Sequence, residues 1–184
     1  MKFNLFLLSI IGLLLALNSC SLTRISEDKQ ICPIDYLLLR ESDFPKGTIF
    51  DPIRSPIDEK PKESASRSSY YYESWIRESV IRYRSVQKAQ EIFIEYQTSI
   101  FDPDEIYDTW KAPVNLEPGS ISANLYETAC GNVKNFGNRC IMLAQYEEYV
   151  IFFSVDISKN GVTQELFTDL ALGIDSRLSS CIGK

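Results

Sequence analysis

The chain has 184 residues, contains no histidine and carries a formal net charge of −6. The absence of histidine excludes Ser-His, Cys-His and histidine–metal catalysis. An acidic chain is also a poor match for nucleic acid or a broad anionic lipid surface, because polyanion binding normally requires a basic protein. We expect no cofactor other than a covalent lipid, no metal and no nucleic-acid partner.

The first twenty residues predict export and lipid attachment. Lys2 precedes an apolar run over residues 5–17, which is shorter than the stretch of about 20 residues that a membrane-spanning helix needs. The run closes on Leu17-Asn18-Ser19-Cys20, which matches a bacterial lipobox. We therefore expect residues 1–19 to be removed as a signal peptide and Cys20 to carry lipid, palmitate among it. The alternative is an ordinary signal peptide that is cleaved elsewhere, with Cys20 incidental.

The lipobox also predicts where the protein works. Residue Ser21 follows the lipidated cysteine, where Asp would indicate inner-membrane retention, so the outer membrane is favoured if the cell has two membranes. Residues 20–31 are a short polar tether, and residues 32–184 are predicted to form one α+β domain. The domain should lie close to the membrane, facing the periplasm or the exterior.

Four cysteines remain after Cys20 is set aside, an even number that suits disulfides in an oxidising compartment. They permit three connectivities. We favour Cys130–Cys140, because the segment between them is rich in Gly and Asn and brings its flanking strands together. The remaining pair, Cys32–Cys181, would then join the start of the domain to the end of its last helix. Zinc binding is disfavoured by the spacing and the missing histidines.

The pattern of apolar residues alternates between strand and helix along the chain, with no internal repeat. It predicts a short helix over residues 34–40, a turn at 43–47, a strand at 48–50, an exposed loop at 52–69, and one or two strands over 70–84. There follow a helix over 85–101, a short helix from 102 to about 110, strands over 120–130, 139–146 and 149–157, and a helix over 162–181.

This order of elements predicts an α+β fold. We expect an antiparallel or mixed sheet with the two long helices packed on one face, as a two-layer sandwich with two disulfides. Ser85 is the predicted N-cap of the first long helix.

Two clusters of residues are candidates for a functional site. Tyr70, Tyr71, Tyr72 and Trp75 can form a contact surface, since Tyr and Trp are enriched at interfaces, although strands also use aromatic residues for core packing. The other cluster consists of four acidic residues: Asp102, Asp104, Glu105 and Asp108. Helix capping explains these acids without any ligand, and the alternatives are a calcium site and carboxylate catalysis.

Several segments of the chain resemble a known class of exported domain. The short Leu-rich helix leading into Asp43-Phe44-Pro45-Lys46-Gly47 resembles an element of small exported sensor-type domains, as in the extracytoplasmic domains of bacterial receptor serine/threonine kinases and related lipoproteins. Tyr83-Arg84-Ser85, Cys130, Cys140 and the terminal helix are similar to that pattern, while Thr48 replaces the aromatic residue that often follows the glycine. The resemblance implies an α/β sandwich with two disulfides and a ligand cleft, and it offers no catalytic residues to assign to positions of this chain.

The sequence therefore predicts a bacterial lipoprotein with a non-catalytic binding or accessory domain at the cell envelope. Its expected partner is an envelope protein or a small apolar ligand. The alternative is a carboxylate-dependent envelope hydrolase, which needs two acids about 5–10 Å apart in a pocket.

Overall fold

The computed structural model describes residues 32–55 and 61–182. The predicted signal peptide, Cys20 and the tether lie outside these residues. Within them the chain forms six strands, two α-helices and three short 3₁₀ helices. The strands are β1 (Ile49–Phe50), β2 (Glu63–Tyr71), β3 (Ser74–Arg82), β4 (Leu125–Val133), β5 (Gly137–Tyr146) and β6 (Tyr149–Asp156). The α-helices are α1 (Val86–Ile100) and α2 (Gln164–Ile182), and the 3₁₀ helices are Ile34–Leu37, Glu41–Asp43 and Pro103–Glu105.

The six strands form one antiparallel sheet in the order β1-β2-β3-β6-β5-β4. Three hairpins join β2 to β3, β4 to β5 and β5 to β6, and α1 lies in the connection between β3 and β4. Ser85 caps α1, as predicted, because its side chain accepts a hydrogen bond from the backbone N–H of Lys88. The predicted α+β class, with an antiparallel sheet and two disulfides, is confirmed.

The two disulfides join Cys32 to Cys181 and Cys130 to Cys140. Cys130 and Cys140 are directly opposite one another on β4 and β5, with their Cα atoms 4.0 Å apart. Cys32 lies at the start of the described chain and Cys181 in the last turn of α2. One bridge therefore reinforces a hairpin, and the other joins the two ends of the fold.

The placement of the helices differs from the two-layer prediction, because α1 and α2 lie on opposite faces of the sheet. Successive residues of β5 show this: Met142 packs in the core under α2 and Leu143 in the core under α1, and both are 0% exposed. Side chains of a strand alternate between faces, so an apolar run such as that of β5 requires cover on both sides.

A segment before β1 shares the cover of the α2 face. We call residues 32–47 the strap. Leu37, Leu38 and Leu39 of the strap are almost completely buried in the same core as α2. The Cys32–Cys181 disulfide fixes the start of the strap to the helix. The predicted helix over residues 34–40 is thus a single 3₁₀ turn followed by extended, buried chain.

The predicted loop before β2 and the predicted helix after α1 are both longer than the structure shows, and the strand predicted over residues 120–130 begins only at Leu125. The loop predicted over residues 52–69 ends earlier, since β2 begins at Glu63 and hydrogen-bonds to strands on both sides. Its serines are typical of a loop, but backbone pairing with two neighbours holds a polar strand in the sheet. The helix predicted from residue 102 is only the 3₁₀ turn Pro103–Glu105, with Asp102 capping the N–H of Asp104.

Candidate functional site

Helix α1 covers only part of its face of the sheet. It packs on β4, β5 and β6, which leaves β2 and β3 largely without helical cover on that side. Cross-strand pairs identify the side chains there, because directly opposite residues of an antiparallel pair share a face. We call this surface the open face; its pairs are Ser66–Ser79, Ser68–Arg77 and Tyr70–Trp75.

The predicted aromatic cluster is divided by the turn between β2 and β3. The chain reverses at Tyr72, which has a φ of +50°, so Tyr70 and Trp75 face one another across the hairpin. Tyr71 lies on the opposite face and packs against the α2 core. Simple alternation through residues 70–76 would place Tyr70 and Ile76 on one face, which is wrong because the segment is two strands rather than one.

The tip of the hairpin exposes large apolar side chains. Tyr72 is 76% exposed, and its ring lies 4.8 Å from that of Tyr71 in an edge-on contact. Tyr70 is 44% exposed, and its partner on the edge strand, Ile49, is 69% exposed. The half-buried Trp75 completes a row of three apolar residues across β1, β2 and β3. Aromatic side chains exposed together in this way are typical of contact surfaces.

Charged groups flank this row on the β5 side. The guanidinium of Arg139 lies 5.7 Å from the centre of the Trp75 ring and 4.3 Å from that of Phe136. The same group forms an ion pair with Asp156 at 2.6 Å. Arg139 is therefore already paired and acts as a fixed wall beside Trp75.

A cleft of about 260 Å³ opens beside the row of apolar residues. Its lining residues are Asp51, Pro52, Arg54, Ser66, Arg67, Ser68, Trp75 and Arg77. Trp75 is thus the one predicted site residue that lines this cleft. The sequence prediction missed Arg54, Arg67 and the serines because it assigned residues 52–69 to a loop. The serines at alternate positions 64, 66 and 68 were the signal of a polar strand face. Arg77 lies in the predicted strand over residues 70–84, and nothing in the sequence assigned it to a site.

Two further clefts lie elsewhere on the surface. One of about 390 Å³ includes Asp108, Lys111, Arg139 and Gln164 among its lining residues. Asp108 there accepts a hydrogen bond from the backbone N–H of Asn132 at 2.9 Å, and Arg139 is held by Asp156. The other, of about 300 Å³, lies between residues 112–118 and β4. The first cleft thus has two of its charged groups engaged within the fold.

Two carboxylates are buried in the described residues, and both have structural partners. Glu78 on β3 is 2% exposed and accepts hydrogen bonds from the backbone N–H of Leu39 in the strap. Burial raises its pKa to about 7, against the lowering effect of the Leu39 hydrogen bond and of nearby Arg67 and Arg177. An acid between Ile76 and Val80, on the apolar face of β3, is the sequence signal of this buried group.

The second buried carboxylate is Asp175 of α2. It accepts hydrogen bonds from the Tyr146 hydroxyl at 2.7 Å and from the backbone N–H of Ser122 at 2.7 Å. Burial and the neighbouring carboxylate raise the pKa of Tyr146, so its hydroxyl stays a donor. Glu78 thus holds the strap in place, and Asp175 holds the loop that contains Ser122.

The acidic cluster at residues 102–108 has local partners. Asp102 caps the turn that follows it, and Asp108 bonds to β4. In residues 32–55 and 61–182, no group of three or more His, Cys, Asp or Glu side chains is placed to hold a metal ion. Capping therefore accounts for Asp102, and anchoring to β4 for Asp108.

Comparison with known proteins supports the fold and no more. No protein-family model matches the chain, and no curated protein sequence matches it. Among solved structures, the chain is similar to the extracellular domain of PknH from Mycobacterium tuberculosis, with a TM-score of 0.54 and 10% identity over 84% of this chain and 98% of that one. The chain thus has the fold of that extracellular domain, in agreement with the resemblance to exported sensor-type domains. None of the helices within the described residues is long and apolar enough to cross a membrane.

Proposed function

We propose that this protein is an exported, lipid-anchored and non-catalytic binding domain of the bacterial cell envelope. Three observations support the proposal: the fold is that of an extracellular domain, two disulfides suit an oxidising compartment, and the N-terminus matches a lipobox. Cys20 carries the lipid, and residues 20–31 tether it to the strap.

The proposed recognition surface is the open face together with the hairpin tip at Tyr72. The observation that carries this assignment is the joint exposure of Ile49, Tyr70 and Tyr72 beside the half-buried Trp75, where α1 does not cover the sheet. A folded protein usually buries such side chains, so their joint exposure indicates a contact surface.

We propose another envelope protein as the occupant of this surface. Tyr72 and Ile49 protrude from a hairpin tip and an edge strand, which suits insertion into a partner. The polar residues around them, Ser68 and Arg77, supply hydrogen-bond donors of the kind found at the rim of protein interfaces.

Cross-linked purification from the native envelope tests this role. A tagged wild-type protein is expected to co-purify one stoichiometric protein, and a Tyr70→Ala/Tyr72→Ala variant is expected to lose it. The matched control is Ile94→Ala, since Ile94 is a 56% exposed apolar residue on α1. Retention of the partner by the tyrosine variant, or equal loss in the control, would remove the hairpin from the proposal.

Mass spectrometry of membrane-extracted protein tests the anchor separately. Loss of residues 1–19 and added acyl mass on Cys20 are expected. An unmodified Cys20 in the mature protein would contradict lipid anchoring without bearing on the recognition surface.

A further inference from the structure

Four arginines of the described residues are held by other groups of the fold. Arg82 forms an ion pair with Glu148 at 2.8 Å, and Arg139 and Arg177 pair with Asp156 and Asp43. Arg67 lines the 260 Å³ cleft, but its guanidinium donates to the Leu39 carbonyl and stacks on Phe50 at 4.8 Å. Four arginines are therefore engaged by the fold itself.

Arg54 and Arg77 are different. Both line the same cleft, and neither guanidinium has an ion-pair or hydrogen-bond partner among residues 32–55 and 61–182. The chain is acidic, with 25 carboxylate residues against 19 basic ones. Both side chains are exposed, so the two guanidinium groups at this cleft are available to an anion, and arginine gains most from a planar anionic partner.

The backbone holds both arginines on the same side of the sheet. Arg54 forms an antiparallel bridge with Ser66, with backbone hydrogen bonds of 2.9 and 2.8 Å in the two directions. Arg77 is paired with Ser68 on the other edge of β2. Since paired residues share a face, both side chains belong to the open face. Their backbones are two strand spacings apart across the sheet and two residues apart along β2, about 12 Å in all. Two arginine side chains can reach one anionic group across that distance.

The other residues that line the cleft indicate the chemistry of the rest of the ligand. Trp75 offers an aromatic wall, and its indole N–H is buried without a hydrogen-bond acceptor among the described residues. Asp51 lines the cleft as well and can accept hydrogen bonds from hydroxyl groups. The Ser66 and Ser68 hydroxyls add donors and acceptors. An anionic group next to an aromatic wall and a carboxylate suits a sugar ring that carries a charge.

We propose that this cleft binds a small hydroxylated anion, of the size and chemistry of a monosaccharide phosphate or a sugar acid. Arg54 and Arg77 clamp the phosphate or carboxylate, Trp75 packs against the ring, and Asp51 accepts from its hydroxyls. This cleft shares Trp75 and Arg77 with the recognition surface proposed above, but binding of the anion does not require the partner protein.

Nuclear magnetic resonance of the two indole N–H groups tests the site. The chain has two tryptophans, so a Trp75→Phe variant assigns both signals, and Trp110 serves as the internal control. Glucose 6-phosphate and glucuronate are expected to shift the Trp75 signal saturably, with a Kd of about 1 mM or tighter for at least one of them. Neutral glucose is expected to have no effect at the same concentrations, and inorganic phosphate is expected to bind more weakly than glucose 6-phosphate.

Variants identify the clamp. Arg54→Gln and Arg77→Gln are each expected to weaken binding about tenfold or more, because each removes charge-assisted hydrogen bonds to the anion. Arg84→Gln is the matched control, since Arg84 is exposed and lies outside the cleft. An unchanged Trp75 signal with both sugar anions, or binding that survives both cleft substitutions, would overturn the proposal. Equal affinity for inorganic phosphate would overturn the assignment of a hydroxylated ligand.

The titration is independent of partner capture. Loss of the envelope protein from the Tyr70→Ala/Tyr72→Ala variant concerns the hairpin, whereas the titration uses purified protein and small anions alone. Each role can therefore fail without the other.

Discussion

Both carboxylate oxygens of Glu78 accept a hydrogen bond from the backbone N–H of Leu39, at 2.9 and 3.1 Å. Arg67 donates to the carbonyl of Leu39, and Arg177 donates to that of Leu38. Ionisable side chains from β2, β3 and α2 thus satisfy the backbone of a strap that forms no strand at this point. Buried backbone groups outside regular structure need such partners, so the strap is an integral part of the core.

The first prediction concerns pH. Burial raises the pKa of Glu78 from 4.5 to about 7, so the folded state binds this proton more tightly than the unfolded state does. The contribution of Glu78 to the free energy of unfolding is therefore fully present below pH 4.5 and is lost as the pH rises through 7, by about 3 kcal/mol in all. Urea unfolding between about pH 4 and 8, with disulfides intact, measures the change.

A Glu78→Gln variant provides the comparison. It is expected to lack this decline in stability with rising pH, because glutamine does not titrate. Glu73→Gln, at the exposed hairpin turn, serves as the control and is expected to follow the wild-type profile. Parallel profiles for wild type and Glu78→Gln would show that Glu78 does not titrate in this range.

The second prediction concerns the disulfides. The Cys32–Cys181 bridge closes a segment with a sequence separation of 149, and the Cys130–Cys140 bridge one of 10. Loop-closure entropy gives about 5 kcal/mol for the long loop and about 3 kcal/mol for the short one. The Cys32→Ala/Cys181→Ala variant is therefore expected to lose more stability than Cys130→Ala/Cys140→Ala in urea unfolding. The reverse order would contradict the loop-closure account of the two bridges.

The third prediction concerns the buried hydrogen bond between Tyr146 and Asp175. Tyr146→Phe removes one donor and leaves Asp175 with its bonds to Ser122, so the expected cost is about 1 kcal/mol. Asp175→Ala leaves the fully buried Tyr146 hydroxyl without an acceptor, and the expected cost is about 3 kcal/mol. Thermal or urea unfolding measures the loss of stability in both variants. Equal losses would contradict the expectation that a buried hydroxyl without an acceptor costs more than a missing donor.

Local sequence patterns predict most of the elements but not their arrangement in space. The helix capped by Ser85 and the hairpin of β5 and β6 follow from apolar spacing and turn residues. Alternation alone did not show that α1 and α2 lie on opposite faces. The apolar run of β5, with both Met142 and Leu143 buried, contained that information, but a short apolar run is also compatible with a half-covered strand.

The cleft was harder to predict than the fold. Trp75 was identified because aromatic residues are visible in any sequence. Arg54 and Arg77 lie 23 positions apart in the sequence. They line the same cleft because each is paired with a residue of β2, one on each side of that strand. Glu78 likewise owes its raised pKa to burial beneath the strap. Its hydrogen-bond partner there, Leu39, is 39 positions away in the sequence. Such groupings depend on strand register, which composition does not reveal.

Site-specific photo-crosslinking in the native envelope tests the central claim, that the hairpin tip is a recognition surface. A photoreactive phenylalanine derivative replaces Tyr72 in one variant and Ile94, an apolar residue that is 56% exposed on α1, in the other. We predict one dominant protein adduct from position 72 and none from position 94. No adduct from position 72, or the same adducts from both positions, would contradict the claim.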